Sequence, residues 1–248
     1  MSKIPLFLYW EKSALSGGKE PGLIKLCRKT IAKYCRDDFE IRFVGPREVM
    51  KLVDIPEDVW KFTNIPMRAD VIRGRLLRDY GGVWLDSDAI VMRSMKEIKE
   101  KLKDHDFVGY RKTSHGDNHI PVNFMASVPG GDTIREYVRE QNRMLYNNSS
   151  MAWNELGAKP LTRAISSGAY LYDEDYFQPI PWQEQEKFYK KGDRDIPEKS
   201  FVCMYFNNGQ KVRKDIPDLR YIISEEEVLD MNIGLTNMLR KSLTNGGK

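Results

Sequence analysis

The sequence predicts an α/β fold with a largely parallel central sheet, and three observations carry that reading. Short apolar runs of strand length alternate with stretches at helical spacing. The first four elements read strand, helix, strand, helix, which is the order that βαβ units require. Glycine and proline pairs such as Gly45-Pro46 and Gly81-Gly82 stand where elements should end.

Ile4 to Trp10 is a buried first strand, followed by a loop rich in Gly, Ser and Lys from Ser13 to Gly22. Pro21 suits the first turn of a helix. Leu23, Leu26, Cys27, Ile31, Tyr34 and Cys35 keep helical spacing, so Leu23 to Arg36 is an amphipathic helix whose lysines form a solvated face. Glu40 to Val44 alternates as a second strand, and Arg47 to Leu52 resumes helical spacing. Met67 to Tyr80 is a further helix with Val71, Ile72, Leu76, Leu77 and Tyr80 toward the core, ended by Gly81-Gly82. Val83 to Asp86 and Ala89 to Met92 are strands on either side of Asp86-Ser87-Asp88. Lys96 to Lys103 is a surface helix. Phe107 to Tyr110 and Val122 to Ser127 are strands, and Asp132 to Tyr146 and Trp153 to Ser166 are helices. Beyond Tyr170 the chain is punctuated by prolines, with short strands around Tyr176 to Ile180 and Phe201 to Phe206. Thr244 to Lys248 is a frayed tail.

The chain has 248 residues, 41% hydrophobic and 11% aromatic, enough to bury one sizeable core. We expect a single domain over 1–248, with a ligand- and metal-binding portion at 1–92, a portion facing the second substrate at 93–240 and a flexible tail at 241–248. Mean hydropathy is −0.56, and no apolar run approaches the roughly 20 residues of a membrane helix, so a soluble protein is expected, with room for peripheral membrane contact. The opening apolar run lacks the flanks of a secretory signal. Three cysteines leave an odd one if any pair forms, which suits a reducing, cytoplasmic compartment; the sequon at Asn147-Asn148-Ser149 then reads as a loop. The formal net charge of +4 is too mild to indicate nucleic acid. Its excess lies in residues 1–82, with 16 basic against 11 acidic side chains.

The segment from Arg68 to Asp88 carries the chemistry. Asp70 and Arg73 stand three apart on one helical face. Asp86 and Asp88 are spaced by one residue at the end of an apolar strand, so in extended chain they point to the same side. At 4 Å and an effective dielectric near 20, two such charges repel by about 4 kcal/mol. An anionic ligand could therefore approach only with a cation between. Hard oxygen ligands favour Mg²⁺ or Mn²⁺. A lone Asp-Ser-Asp is also a common solvated turn, but here it interrupts a buried run, where charges need partners.

The string Ala-Asp-x-x-Arg followed by Leu-x-x-x-Gly-Gly-x-x-Leu-Asp-x-Asp resembles the DxD region of glycosyltransferase family 32 and the related capsular polysaccharide synthesis proteins. The resemblance is close over Ile65 to Val91 and looser elsewhere, in the first strand, in Val122 to Gly130 and in Leu156 to Thr162. It implies a single domain of the GT-A-like fold (the nucleotide-diphospho-sugar transferase fold) and transfer of a sugar from a nucleotide-sugar donor, a UDP-sugar, to a glycan hydroxyl with retention of configuration. The acceptor would be a glycan, glycolipid or glycoprotein. Position by position, it implies that Asp86 and Asp88 hold Mn²⁺ or Mg²⁺ and act in catalysis. Asp70 and Arg73 would contact the donor sugar or ribose, and Leu8, Tyr9 and Trp10 would cradle the base. Arg68, Ser87 and Asn123 join the donor-binding residues. Relatives often place a histidine on a late strand as a further metal ligand. The comparable stretch here, Cys203 to Lys211, has none, leaving Asn208 as an oxygen ligand and Lys211 to meet the diphosphate; it reads equally as a strand and turn with a solvated lysine.

Other signals are read more simply. His115-Gly116-Asp117-Asn118-His119 lacks a third zinc ligand from elsewhere and suits a mobile loop beside the donor pocket, in reach of an acceptor sugar. Trp182 and Tyr189 around the Pro181 turn read as core, rim or acceptor platform, with core packing the default. Glu225 to Glu227 mark a helix N-terminus, and Cys27 and Cys35 are packed thiols. Two further functions stay open: a sugar nucleotidyltransferase, disfavoured because Leu8-Tyr9-Trp10-Glu11-Lys12 is no glycine-rich phosphate loop, and a non-catalytic glycan-binding scaffold.

Overall fold

Ile4–Tyr9 forms β1, and its last four residues are buried, as an apolar run flanked by strands on both sides requires. The structure is a computed structural model, and residues 2–11, 17–147, 155–206 and 218–244 are described. After β1 come α1 (Gly22–Cys35), β2 (Phe39–Val44), α2 (Pro46–Leu52), α3 (Glu57–Trp60), α4 (Ile65–Tyr80), β3 (Gly82–Leu85) and β4 (Ala89–Val91). The chain continues through α5 (Lys96–Lys101), β5 (Phe107–Arg111), β6 (Phe124–Ser127), α6 (Asp132–Asn147), α7 (Ala158–Ala164) and β7 (Ala169–Asp173). It closes with α8 (Glu186–Tyr189), β8 (Val202–Met204), α9 (Glu225–Asp230) and α10 (Gly234–Thr244).

Six strands form one sheet in the order β2-β1-β3-β6-β5-β7. β1 runs parallel to β2 and β3, and β5 parallel to β7, while β6 runs against both its neighbours. The mixed α/β class and the largely parallel sheet are as expected. β4 and β8 form a separate antiparallel pair.

The chain divides into two compact units interleaved along the sequence. The first, Met1–Glu11, Asp38–Asp86 and Lys96–Asp173, contains the six-stranded sheet and α2 to α7, with Phe7, Leu76, Trp84, Phe107 and Met125 in its core. The second, Lys12–Asp37, Ser87–Met95 and Glu174–Lys248, contains α1, β4, β8 and α8 to α10 around Leu23, Ile90, Phe188, Tyr205 and Leu239. Within the second unit, α1 and β4 pack with the C-terminal helices.

Of the α1 lysines, Lys29 is solvated as expected, but Lys25 and Lys33 are half-buried and engaged with backbone. Lys25 donates to the Ile223 carbonyl at 3.0 Å, Lys33 to the carbonyls of Ser242 and Leu243 at 2.8 and 2.9 Å, and Lys29 pairs with Glu225. The last turn of α10 leaves carbonyls without intrahelical partners, and a cation is the natural donor to them. Ser224 caps α9 by accepting from the Glu227 N–H at 3.2 Å, so the glutamate run does begin a helix. Cys27, Cys35 and Cys203 are buried thiols; burial pushes Cys203 up to about 12.

The strand expected over Tyr176 to Ile180 is absent. A 3-10 turn spans Glu174–Tyr176 instead, because Pro179 and Pro181 have no N–H to give a ladder. Trp182 is exposed rather than core, whereas Tyr189 shares a hydroxyl hydrogen bond with Tyr205 at 2.7 Å. The helix read from Trp153 begins at Ala158; Trp153 itself and the tail from residue 245 lie outside the described residues.

Gly81 and Gly82 fix the passage from α4 into β3. Their φ angles are +64° and +89°, conformations that side chains resist. A Cβ on Gly82 would also stand 2.2 Å from the Pro5 carbonyl oxygen, and one on Gly81 2.5 Å from Pro129 Cδ. Gly82→Ala should therefore cost more than about 2 kcal/mol of stability in urea unfolding; a loss below about 0.5 kcal/mol would contradict the close approach.

Candidate functional site

The N-terminus of α4 is set by Asn64, whose side chain accepts from the Met67 N–H at 3.4 Å, with Pro66 in the first turn. One turn on, Asp70 and Arg73 face inward, 7% and 3% exposed. A single Arg73 nitrogen, Nη2, lies 3.2 Å from Asp70 Oδ1 and 3.5 Å from Asp86 Oδ1. The rest of the guanidinium is also committed: Nε donates to the Ala69 carbonyl at 3.2 Å and Nη1 to the Val122 carbonyl. Its carbon lies 4.9 Å from the Trp84 ring centroid, a cation–π contact.

Trp84 links this cluster to the strand. Its indole N–H donates to Asp86 Oδ1 at 2.8 Å, and its ring stacks with Tyr9 at 6.3 Å between centroids. The Asp86 N–H donates to the Asn123 carbonyl at 2.9 Å, and Asn123 Oδ1 accepts from Tyr110 at 2.8 Å. Behind Asp70, its backbone carbonyl accepts from Gln141 Nε2 at 2.8 Å and from Tyr137 at 3.3 Å. These two α6 residues are i,i+4 neighbours. They reach α4 because residue 74 is glycine: a Cβ there would lie 2.9 Å from Gln141 Oε1.

Electrostatically the cluster is strained. Two carboxylates share one cation; Asp70 and Arg73 are almost out of water and Asp86 is half-buried. Burial pushes the Asp70 carboxyl up from 3.8 to about 6, with Arg73 pulling it down and Asp86 adding to the rise. Burial likewise raises Asp86, against Arg73 and the Trp84 hydrogen bond. Burial raises the Tyr9 hydroxyl too, and the Glu11 carboxylate to which it donates adds to that.

The structure thus brings together Asp70, Arg73, Asp86, Asn123 and the ring of Tyr9. It corrects several other expectations. Leu8 is wholly buried, so its side chain has no surface to offer a base. Arg68 is spent on Glu11, with Nε–Oε1 at 2.9 Å and Nη2–Oε2 at 2.5 Å, and on the Phe62 carbonyl; it fixes the end of β1 rather than presenting a free charge. Trp10 remains half-buried, and its indole Nε1 has no hydrogen-bond partner among the described residues. The chain is not extended through Asp86-Ser87-Asp88: β3 ends at Leu85, Ser87 and Asp88 form a turn, and β4 starts at Ala89 in a different sheet. The alternation argument for the two aspartates therefore does not apply, and Ser87 is buried. Asn208 and Lys211 lie outside the described residues. Among the described residues no three His, Cys, Asp or Glu side chains gather as a metal-holding group. The histidine loop is ordered by Lys112, which pairs with Asp117 and bridges backbone with His119.

Sequence reasoning missed Glu11, Trp84, Tyr137 and Gln141. Gln141 alone left a signal, as a polar residue on the buried face of an amphipathic helix.

The family model for capsular polysaccharide synthesis proteins matches residues 3–150, more than half of the chain and all of this cluster. The chain belongs to that family. Its GT-A-like fold is shared at low identity with solved glycosyltransferases. The bifunctional glycosyltransferase WbbM superposes with a TM-score of 0.56 at 9% identity, over 98% of this chain and 50% of that one. GlyE of Streptococcus pneumoniae TIGR4 gives 0.51 at 12% identity, over 99% and 62%. The PaToxG glycosyltransferase gives 0.50 at 13% identity, over 65% and 68%. The chain thus spans half of WbbM and under two thirds of GlyE. No curated protein matches it significantly.

Because the folded state holds the Asp70 proton more tightly than the unfolded chain does, its contribution is full below about pH 4 and is lost as pH rises through about 6. Asp70→Asn removes that loss. The melting temperature of the variant minus that of the wild type should therefore increase from pH 4.5 to pH 7.5. A difference that stays flat or falls over that range would contradict a strained Asp70.

Proposed function

We propose that this protein is a metal-dependent glycosyltransferase that moves a sugar from a nucleotide-sugar donor, a UDP-sugar, to a glycan hydroxyl with retention of configuration. The observation that carries the proposal is the buried Arg73 shared between Asp70 and Asp86. With both carboxylates ionised the three groups sum to one negative charge, and Asp88 follows two residues on. That excess repels a diphosphate unless a cation accompanies it.

The donor set fits such a cation. Asp86 keeps about a third of its side chain exposed, and Mg²⁺ or Mn²⁺ needs only one or two protein carboxylates, since it retains waters and takes phosphate oxygens. Asp86 and Asp88 would hold it, with Asn208 a third oxygen ligand. When bound, the ion supplies charge neutralisation for the departing diphosphate. The chain's own residues do the rest. Asp70 accepts from sugar or ribose hydroxyls, and Arg73 holds both aspartates in place while blocking water from beneath them. Trp10 offers an aromatic face to a base. Asn123 lines the donor, and Lys211 meets the diphosphate.

The acceptor would be a glycan, glycolipid or glycoprotein, in keeping with the family. Among the described residues no helix is long and apolar enough to cross a membrane. Three buried cysteines that form no disulfide support a cytoplasmic location.

Calorimetry with UDP tests the reading. Binding should require Mn²⁺, disappear in EDTA and weaken at least tenfold in Asp88→Asn, and hydrolysis of a nucleotide-sugar panel should follow the same pattern. UDP binding that is indifferent to EDTA and to Asp88→Asn would overturn metal dependence. Absence of any nucleotide binding would overturn the enzyme itself in favour of a scaffold.

A further inference from the structure

A second concave surface lies wholly within the first unit, beside the start of α4. It is a cavity of about 710 Å³ whose lining includes Phe62, Asn64, Met67, Asn142, Leu145 and Tyr146. That volume falls within the range of small-ligand sites. Three features give it a chemical character.

The first is its pair of amides. Asn64 Oδ1 is taken by the Met67 N–H, and Asn142 Oδ1 accepts from Arg75 Nη2 at 2.7 Å. With both carbonyl oxygens committed, the groups left to the cavity are the two NH₂ donors, which have no partner among the described residues. The guanidinium that fixes Asn142 is itself 4% exposed, so this orientation is held from the core. The second is Tyr146, 91% exposed, at the end of α6 with Leu145 beside it, a flat apolar face in open water. The third is position. Met67 and Asp70 are i,i+3 neighbours on α4, about 4.5 Å apart along the axis at 1.5 Å per residue, and the Phe62 carbonyl is a partner of Arg68, which anchors Glu11.

An exposed aromatic face beside fixed NH₂ donors suits a ligand with a C–H face and rim oxygens that accept hydrogen bonds. A pyranose ring is such a ligand. A phosphate or an acidic peptide fits poorly, because among the described residues the one cation lining the cavity, Lys61, is paired with Asp58 at 2.8 Å. We infer that this cavity is a neutral-sugar subsite that receives the acceptor glycan, with Tyr146 as its stacking platform and Asn64 and Asn142 as its donors. The inference that the bound sugar is an acceptor rests on the glycosyltransferase reading; the inference that a sugar binds here does not.

The experiment is saturation-transfer NMR on the full chain. Its probes are the methyl glycosides of glucose, galactose, mannose and N-acetylglucosamine at millimolar concentration, and wild type is compared with Tyr146→Ala and Tyr146→Trp. Wild type should saturate ring protons of at least one glycoside. Tyr146→Ala should weaken that binding about tenfold with an unchanged melting temperature, and Tyr146→Trp should restore it. No transfer to any glycoside, or equal transfer in Tyr146→Ala, overturns the subsite. Transfer that depends on Tyr146, in a wild-type protein that turns over no nucleotide sugar, upholds the sugar site and removes the transferase instead.

Discussion

The buried Arg73 guanidinium, shared between Asp70 on its own helix and Asp86 at the end of the neighbouring strand, is the interaction on which the rest depends. An arginine with almost no solvent contact must have every donor engaged. Here they are engaged by two carboxylates and two backbone carbonyls, with the Trp84 ring against the guanidinium. Those partners come from three segments of the chain, residues 69–70 on α4, residues 84–86 at the end of β3 and Val122 before β6, and the local features around them follow. The double glycine lets α4 turn into β3 beneath Pro5 and Pro129. Gly74 lets α6 approach closely enough for Gln141 and Tyr137 to hold Asp70 from behind. Trp84 reaches Asp86 along the same strand. Asn123 ties the Asp86 backbone to the strand that runs against it.

A site built this way is held under electrostatic tension. Replacing one partner of a buried ion pair leaves the other uncompensated, yet the cluster has one carboxylate more than its cation can balance, and burial raises both acids. Such an arrangement is costly for stability alone, and a chain that keeps it has a use for concentrated negative charge. A divalent cation bringing a diphosphate would relieve the tension. The bidentate Arg68–Glu11 pair is different in kind: its charges match, and it fastens the end of β1 beside the cluster without adding net charge.

Much of the fold was legible because it depends on local rules. Apolar spacing located β1, α1, β2 and α4 within a residue or two, and Gly81-Gly82 marked the end of α4. Asp70, Arg73 and Asp86 were legible as a set from their spacing and from the family resemblance. What was not legible depends on packing between distant segments. That Lys33 of α1 would cap α10 follows from where two helices about 200 residues apart meet, and no periodicity reports it. Leu8 and Arg68 have the right chemistry for a ligand, but sheet burial and Glu11 consume them. The aspartate pair read as extended strand because its flanks are apolar; the chain turns there instead, since its flanks belong to two different sheets. β7 was passed over because its tyrosines alternate close to a proline-rich stretch, where strand signals are discounted.

The central claim is that Asp70 and Arg73 act as one unit. The direct measurement is a double-mutant cycle on nucleotide-sugar turnover, comparing Asp70→Asn, Arg73→Lys and the double variant with wild type. Lysine keeps the charge but lacks the planar donor set by which arginine meets both carboxylates from Nη2 while its other nitrogens hold two backbone carbonyls. The account predicts that each single substitution lowers turnover by about a hundredfold or more, and that the double variant falls within about threefold of the worse single. Losses that multiply, as for two independent contacts, would contradict it.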